Sequence, residues 1–185
     1  MRVVNLRAEP RRRIPWFPPR HAQRSAVTDL ATLLAPTLDD TYTLILDPHL
    51  PGVDPDLAAL LVGPGGIRAL LVRHWRGRFR HRGRAWEYDA AGSEGWVPCR
   101  TDPTGEATRT REQVSSWMWL TIGTQFPVEA AVAFPGRRCR VELEDPVTEV
   151  VTPSNAPWWA QRLGRVKRLD DRRAGRIIDA VLAAA

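Results

Sequence analysis

Apolar residues recur along this chain with two different spacings, and the spacing separates helices from strands. In residues 20–35, alanine, valine and leucine return every three or four positions, which predicts a helix. Similar stripes in residues 104–121 and 170–184 predict two further helices, and Gly123 stands where the first of these should end. These three segments form the helical part of the predicted fold.

Shorter runs of β-branched and apolar residues predict strands. Residues 41–46 form one such run, and residues 57–62 and 67–72 form two more, separated by Gly63-Pro64-Gly65-Gly66. Glycine adopts the positive φ values that a tight reversal needs, so the last two runs predict a hairpin. Both are apolar at nearly every position, as strands buried on two faces are. We therefore expect this hairpin at the centre of a sheet.

The remaining pattern completes an α/β fold. Residues 76–89 predict a second hairpin, residues 128–134 a buried strand, and residues 141–143 and 147–151 shorter strands, whereas residues 90–103 have the composition of a loop. Strands interleaved with helices in this order predict a central mixed β-sheet flanked by helices.

Composition indicates a globular protein without a membrane span. The chain has 185 residues, of which 43% are hydrophobic and 26% are charged. Its apolar runs are far shorter than the roughly 20 residues that cross a bilayer, and its first 20 residues lack the apolar stretch of a signal peptide. We expect a cytoplasmic protein that does not contact membranes.

The positive charge is concentrated at the start of the chain. Residues 1–24 contain seven arginines, three of them consecutive (Arg11, Arg12 and Arg13), against a single acid, Glu9. Residues 1–20 are therefore interpreted as a flexible, basic, proline-containing arm, and residues 21–185 as one domain. The arm suits an anionic partner such as nucleic acid, but a solvated, disordered terminus has the same composition. Both interpretations stay open.

The central hairpin and the residues after it resemble the core of the NERD (nuclease-related) domain. The resemblance rests on LAALLVGPGGI at residues 57–67 and LLVRHWRG at residues 70–77, and on the similarity of Trp86 and of Asp102-Pro103 to later family features. It extends over roughly residues 22–183. It implies the PD-(D/E)xK restriction-endonuclease-like fold, a central mixed sheet flanked by helices.

The same resemblance implies a lost active site. Members of that family hold Mg²⁺ with an Asp on one strand and the Glu of an E-x-K pair on the next, while the Lys positions the nucleophile. Counting from the glycine landmarks places these positions at Ala58, Leu71 and Arg73. Both carboxylates are replaced by apolar residues and only the cation is kept. The resemblance thus implies a nuclease fold that does not cut and that needs no metal or other cofactor.

Several acids are candidates for a rebuilt site, namely Asp56 and Glu106 and, beside them, Glu112, Asp47 and Asp54. Asp56 lies two residues before Ala58 and would share its face if the strand extended that far, and Glu106 lies on the following helix. A divergent Mg²⁺-dependent nuclease that uses these residues is the alternative function, and Mg²⁺ is a cofactor only in that case.

A run of arginines follows the strand that would carry the old site. No acid interrupts it before Glu87, and Trp75 and Phe79 lie within it. Guanidinium groups bind phosphates and aromatic rings stack on bases, so the run predicts a nucleic-acid partner, with DNA the expected polymer. A solvated, arginine-rich hairpin is the competing interpretation. The candidate residues are Arg73, Arg76, Arg78, Arg80, Arg82 and Arg84.

Paired tryptophans leave a third function open. Trp117 and Trp119 cannot both face the core from one helix, and Trp158-Trp159 adjoins a proline-containing loop. One tryptophan of each pair would then be available to a protein partner or to a second copy in a homo-oligomer. The basic run at residues 162–168 is interpreted as a solvated linker.

Overall fold

The computed structural model describes residues 1–6, 20–54, 57–90 and 95–184, with the backbone alone for residues 20–26. The helices in these ranges are α1 (Arg20–Leu34), α2 (Pro103–Ile122), α3 (Ala156–Gly164) and α4 (Asp171–Ala183). The strands are β1 (Arg2–Asn5), β2 (Thr43–Leu46), β3 (Leu57–Gly63), β4 (Gly66–Val72), β5 (Gly77–Arg82), β6 (Ala85–Asp89), β7 (Trp96–Pro98), β8 (Val128–Ala133), β9 (Cys139–Glu144) and β10 (Glu149–Val151).

A six-stranded mixed sheet runs through the molecule in the order β1-β2-β3-β4-β8-β10. Strand β3 is antiparallel to both of its neighbours, whereas the β1–β2, β4–β8 and β8–β10 pairs are parallel. All residues of β3 and β4 are buried, as their pattern, apolar at nearly every position, predicted. The predicted α/β architecture with a central mixed sheet is confirmed.

The turn between β3 and β4 shows why glycine is needed there. Gly66 has a φ of 104°, which an L side chain rarely adopts. A Cβ on Gly63 would lie 2.3 Å from the ring of Tyr42, so this position has no room for a side chain. The tight reversal predicted from the glycines is confirmed.

Helices cover both faces of the sheet and create two separate cores. Helices α2 and α4 pack on one face, where Leu57, Leu71 and Val132 point. Helices α1 and α3 pack on the other, where Ala58, Leu70 and Ala133 point. Neighbouring residues of a strand point to opposite faces, so the side chains alternate between the two cores along β4 and β8. Along β3 the alternation is interrupted, because Ala58 and Ala59 both lie in the second core.

A second sheet, in the order β7-β6-β5-β9, is built around the second predicted hairpin. Strands β5 and β6 pair antiparallel, while β9 returns from far along the chain to pair parallel with β5. Its inner face joins the first sheet through an aromatic cluster, in which the ring of Trp75 lies 5.5 Å from that of Trp86 and 5.3 Å from that of Phe134. The outer face of this sheet carries the arginine run.

Three segments differ from the expectations. Arg2–Asn5, expected to belong to a flexible arm, pairs with β2 as an edge strand. Trp96–Pro98, expected to be loop, is a strand beside β6. Ala156–Gly164, expected to be loop and linker, is a helix that buries Trp159 and Leu163. The predicted linker also contains Arg168, which pairs with Glu129 of β8 at 3.1 Å.

The tryptophan pairs divide as expected from helical geometry. Trp117 is buried and Trp119 is half exposed, while Trp159 is buried and Trp158 is 60% exposed. Within the described ranges, no helix combines the length and the apolar character needed to cross a bilayer.

Candidate functional site

Ala58 and Leu71, the positions counted as the two lost carboxylates, do not face each other. Leu57, and not Ala58, is the register partner of Leu71, because the pairing of β3 with β4 is irregular between Leu57 and Ala59. Leu57 and Leu71 lie in the core beneath α2 and α4, and Ala58 lies in the core of the opposite face. Ala58, the position counted from Gly63-Pro64, therefore lies on the face opposite to Leu71. Both faces are apolar at this point.

The third counted position, Arg73, lies where β4 ends. Its guanidinium pairs with the carboxylate of Glu106, and it also donates to the carbonyl of Val72 at 3.1 Å. The side chains are 17% exposed for Arg73 and 26% for Glu106, so the pair is largely shielded from water. Glu106, a candidate acid for a rebuilt site, is thus paired with Arg73.

The start of α2 fixes Glu106 in that place. Asp102 caps the helix by accepting a hydrogen bond from the amide of Gly105 at 2.9 Å, and Pro103 occupies the first helical turn. Glu106 follows in the same turn, where the helix dipole favours a negative charge.

The other candidates for catalysis and for the basic arm cannot be placed. Asp56, Arg11, Arg12 and Arg13 lie outside the described residues. Among the residues that are described, no three or more His, Cys, Asp or Glu side chains come together in a way that could hold a metal ion.

The arginines of β5 meet carboxylates from both neighbouring strands. The pairs are Arg78 with Asp89 (3.1 Å) and Glu142 (2.9 Å), Arg80 with Glu87 (2.6 Å), and Arg82 with Glu144 (2.6 Å). Hydrogen bonds to Glu142 and Glu144 raise the pKa values of Arg78 and Arg82, respectively. The predicted cationic run is therefore partly neutralised by acids that lie far away in sequence.

Arginines without such partners gather where β5 and β9 begin. Arg76 directly precedes β5 and Arg138 directly precedes β9, and the amide of Gly77 donates to the carbonyl of Arg138 at 2.9 Å. Arg140 is the register partner of Arg78. All three are exposed, and no carboxylate in the described part of the chain pairs with them. Arg84, at the hairpin tip, is likewise exposed and without a carboxylate partner in the described ranges.

The outer face of the second sheet therefore has a positive excess. Six arginines (Arg76, Arg78, Arg80, Arg82, Arg138 and Arg140) accompany four carboxylates (Glu87, Asp89, Glu142 and Glu144), and 6 − 4 leaves two positive charges. The guanidinium carbons of Arg78 and Arg80 lie 5.7 and 4.8 Å from the centre of the Trp96 ring. We call this surface the basic face.

A polar cluster behind the basic face anchors the second sheet to α2. The hydroxyl oxygen of Thr104 accepts a hydrogen bond from the indole of Trp86 at 2.9 Å and lies 3.0 Å from Nε2 of His81. His81 is completely buried and stacks on Trp86 with ring centres 4.2 Å apart. Burial lowers the pKa of His81 to about 4, so the ring is neutral at pH 7. The cluster sets the position of β5 relative to Arg73 and Glu106.

A cleft of about 730 Å³ lies at the other end of the central hairpin. Its lining includes Tyr42, Pro64, Lys167 and Asp170. Pro64 is in the turn between β3 and β4, whereas Arg73 follows the opposite end of β4, so the cleft is separate from the basic face.

Sequence reasoning missed Arg138 and Arg140 because they lie just before and within β9, more than 50 residues beyond the arginine run. A local signal was present, since residues 137–140 read Arg-Arg-Cys-Arg. Comparison with protein-family models, with curated proteins and with solved structures finds no match for this chain.

Proposed function

We propose that this chain is a nuclease-related protein of the NERD type, with a PD-(D/E)xK-like sheet, that binds nucleic acid and does not hydrolyse it. The observation that carries the proposal is the excess of arginine on the basic face, beside the end of the strand where the family's catalytic residues would lie.

The absence of hydrolysis is supported by the central hairpin. Leu57 and Leu71 are cross-strand neighbours within a buried apolar core, and Ala58 faces away from both. A protein holds hydrated Mg²⁺ through one or two carboxylates, and the apolar side chains at these positions supply no oxygen ligand. Arg73 is paired with Glu106, and a guanidinium is not suited to act as a general base.

Nucleic acid fits the basic face better than a small anion does. Alternate residues of a strand point to one face about 6.6–7 Å apart, so Arg78, Arg80 and Arg82 form a row and not a closed pocket. A row of forked guanidinium groups matches successive phosphates along a strand, and the ring of Trp96 adds an aromatic surface. DNA is the expected polymer.

The decisive experiment measures binding and cleavage on the same sample. Labelled single-stranded and duplex DNA, with RNA of the same sequence, is titrated at two salt concentrations, and plasmid is incubated with Mg²⁺ or Mn²⁺. We expect binding that weakens steeply with salt, because phosphate neutralisation releases counterions, and plasmid that stays intact. Absence of salt-dependent binding would overturn the proposal.

Paired variants locate the binding surface. Arg76→Gln removes a cation without a carboxylate partner, so on duplex DNA it should lower the slope of log K against log salt by about 0.9 for each phosphate that Arg76 neutralises. Arg82→Gln also frees Glu144 and should change the slope less, since its charge is already balanced. Arg172→Gln, on the exposed surface of α4, is the matched control and should bind as the native chain does.

The divergent nuclease remains the second candidate because Glu106 lies beside the end of β4. Metal-dependent plasmid cleavage that Asp56→Ala or Glu106→Gln abolishes would replace the first proposal with this one. The third candidate, a protein-binding module, rests on the exposure of Trp119, Leu120 and Trp158. A result in which the chain neither binds nor cuts nucleic acid would favour this third candidate.

A further inference from the structure

Strand β9 is an edge strand, and on its outer side the amide of Cys139 donates to the carbonyl of Gly136 at 3.1 Å, while the backbone groups of Val141 and Leu143 have no partner in the described ranges. The amide of Gly77 bonds to the carbonyl of Arg138, and the amide of Gly83 bonds to the carbonyl of Glu144. The even-numbered residues of β9 therefore direct their backbone groups toward β5, and Val141 and Leu143 direct theirs outward. Within the described ranges no other strand pairs with that edge.

The charges along this edge are antisymmetric about Val141. The sequence of residues 137–145 is Arg-Arg-Cys-Arg-Val-Glu-Leu-Glu-Asp. Each position on the N-terminal side of Val141 that carries an arginine matches an acid at the same distance on the C-terminal side. A second copy of the strand, laid antiparallel, would therefore meet opposite charges throughout.

We propose that two copies of this chain pair through β9, antiparallel and with a twofold axis at Val141. Because Val141 directs its amide and carbonyl outward, the two Val141 residues exchange a pair of backbone hydrogen bonds across the axis. Leu143 of each copy bonds to the carbonyl of Cys139 of the other. Arg140 then lies opposite Glu142 of the second copy, in the closer, non-hydrogen-bonded type of cross-strand pair.

The carboxylate of Glu142 has an oxygen left for this interaction. Its Oε1 atom accepts from Arg78 of the same chain at 2.9 Å, and its Oε2 atom has no partner in the described part of the chain. Arg140 has no carboxylate partner among the described residues either. In the dimer each Glu142 would lie between Arg78 of its own chain and Arg140 of the second copy.

Other twofold registers of the same edge place like charges face to face. An axis at Glu142 sets the two Glu142 side chains against each other, and an axis at Leu143 sets Glu142 against Glu144. An axis at Arg140 sets arginine against arginine. Like charges directly opposite destabilise a pair of strands, so the charge pattern selects the axis at Val141.

Pairing would join the two four-stranded sheets into one of eight strands, with the two basic faces side by side. It would also cover Leu143, which is 40% exposed, and remove an open edge from a strand without proline. The inference does not depend on nucleic-acid binding, because its test contains no nucleic acid.

The test compares charge reversals by sedimentation velocity and light scattering, at protein concentrations up to about 0.1 mM, which covers the micromolar affinities of small interfaces. The native chain should show a mass of twice 20.8 kDa. Arg140→Glu alone and Glu142→Arg alone should each be monomeric, since each puts like charges opposite one another. Circular dichroism confirms that both variants are folded.

Two rescues make the register specific. The doubly reversed chain, Arg140→Glu with Glu142→Arg, should dimerise again. Mixing the two single variants should give a one-to-one heterodimer, because the acidic edge of one complements the basic edge of the other. Arg172→Glu, an equal reversal on α4, should leave the dimer intact. A monomeric native chain, a dimer that Arg140→Glu leaves unchanged, or a mixture that stays monomeric would overturn the proposal.

Discussion

Arg73 at the end of β4 and Glu106 in the first turn of α2 form an ion pair that joins the central sheet to the helix packed on it. Arg73 occupies the position counted as the family's catalytic lysine. In this chain the cation at that position is paired with a carboxylate of α2.

Glu106→Gln should separate stability from binding. Losing the carboxylate removes one charged partner from a largely shielded guanidinium, which should lower the free energy of unfolding by about 1–3 kcal/mol. The same change removes one carboxylate that competes with phosphate for Arg73, so the affinity for DNA should rise. Urea unfolding and anisotropy titration measure the two effects. Glu112→Gln, whose exposed side chain lies on the same helix, should change stability by less than about 0.5 kcal/mol.

Two double variants test which positions face each other in the central hairpin. Leu57→Asp with Leu71→Glu places two carboxylates opposite each other on one face, and Ala58→Asp with Leu71→Glu places them on opposite faces. Both should be far less stable than the native chain, because each buries charge in an apolar core. Only the first variant should show a higher melting temperature when Mg²⁺ is added, since a ligand that binds the folded state stabilises it. Equal responses to Mg²⁺ would contradict the observed register.

The central hairpin was predictable because its signal is local. Runs that are apolar at nearly every position on either side of a glycine-rich turn have few alternative structures, and β3 and β4 formed where the pattern indicated. The face of Ala58 was not predictable, because one irregularity between Leu57 and Ala59 exchanges the faces and leaves no mark in the hydrophobic pattern.

The balance of charge on the basic face was not predictable either. Glu142 and Glu144 neutralise arginines more than 60 residues earlier in the chain, and only the parallel pairing of β5 with β9 brings them together. Helix α3 differs, since Asn155 precedes Pro157 at the first helical turn, and Trp159 and Leu163 are four residues apart. That combination is a recognisable helix start with one buried face.

Glu149 should be among the residues most costly to change. Its carboxylate accepts hydrogen bonds from Arg68 at 3.0 Å, from the indole of Trp159 at 3.0 Å and from Arg162 at 2.9 Å. Arg68 is buried, so Glu149→Gln would leave the positive charge of Arg68 without this carboxylate inside the protein. We expect a loss of about 3 kcal/mol in the free energy of unfolding, measured with urea.

The exposed pair of Arg168 with Glu129 is the control for this prediction. Its side chains are 37% and 41% exposed, and Glu129→Gln should cost less than about 1 kcal/mol because water already screens the charges. If the two substitutions had the same effect, Glu149 would not be the centre of a buried network.

Stability should depend on pH through His81. Burial lowers its pKa from 6.5 to about 4 in the folded chain, against a smaller, opposing influence of Asp102. Between these values the unfolded chain binds a proton that the folded chain does not. The contribution of His81 to the free energy of unfolding is therefore complete above pH 6.5 and is lost as the pH falls to about 4. At 1.36 kcal/mol per pH unit, it amounts to about 3 kcal/mol.

His81→Phe isolates this contribution. Phenylalanine can keep the stacking on Trp86 but cannot take up a proton, so the variant should lose less stability than the native chain between pH 7 and pH 4. Urea unfolding at several pH values gives the free energy of unfolding of each chain as a function of pH. Subtracting one curve from the other cancels the contributions of all other titrating groups, which the two chains share. Curves that run parallel across this range would mean that the His81 ring accepts a proton in the folded state, in spite of its burial between Trp86 and α2.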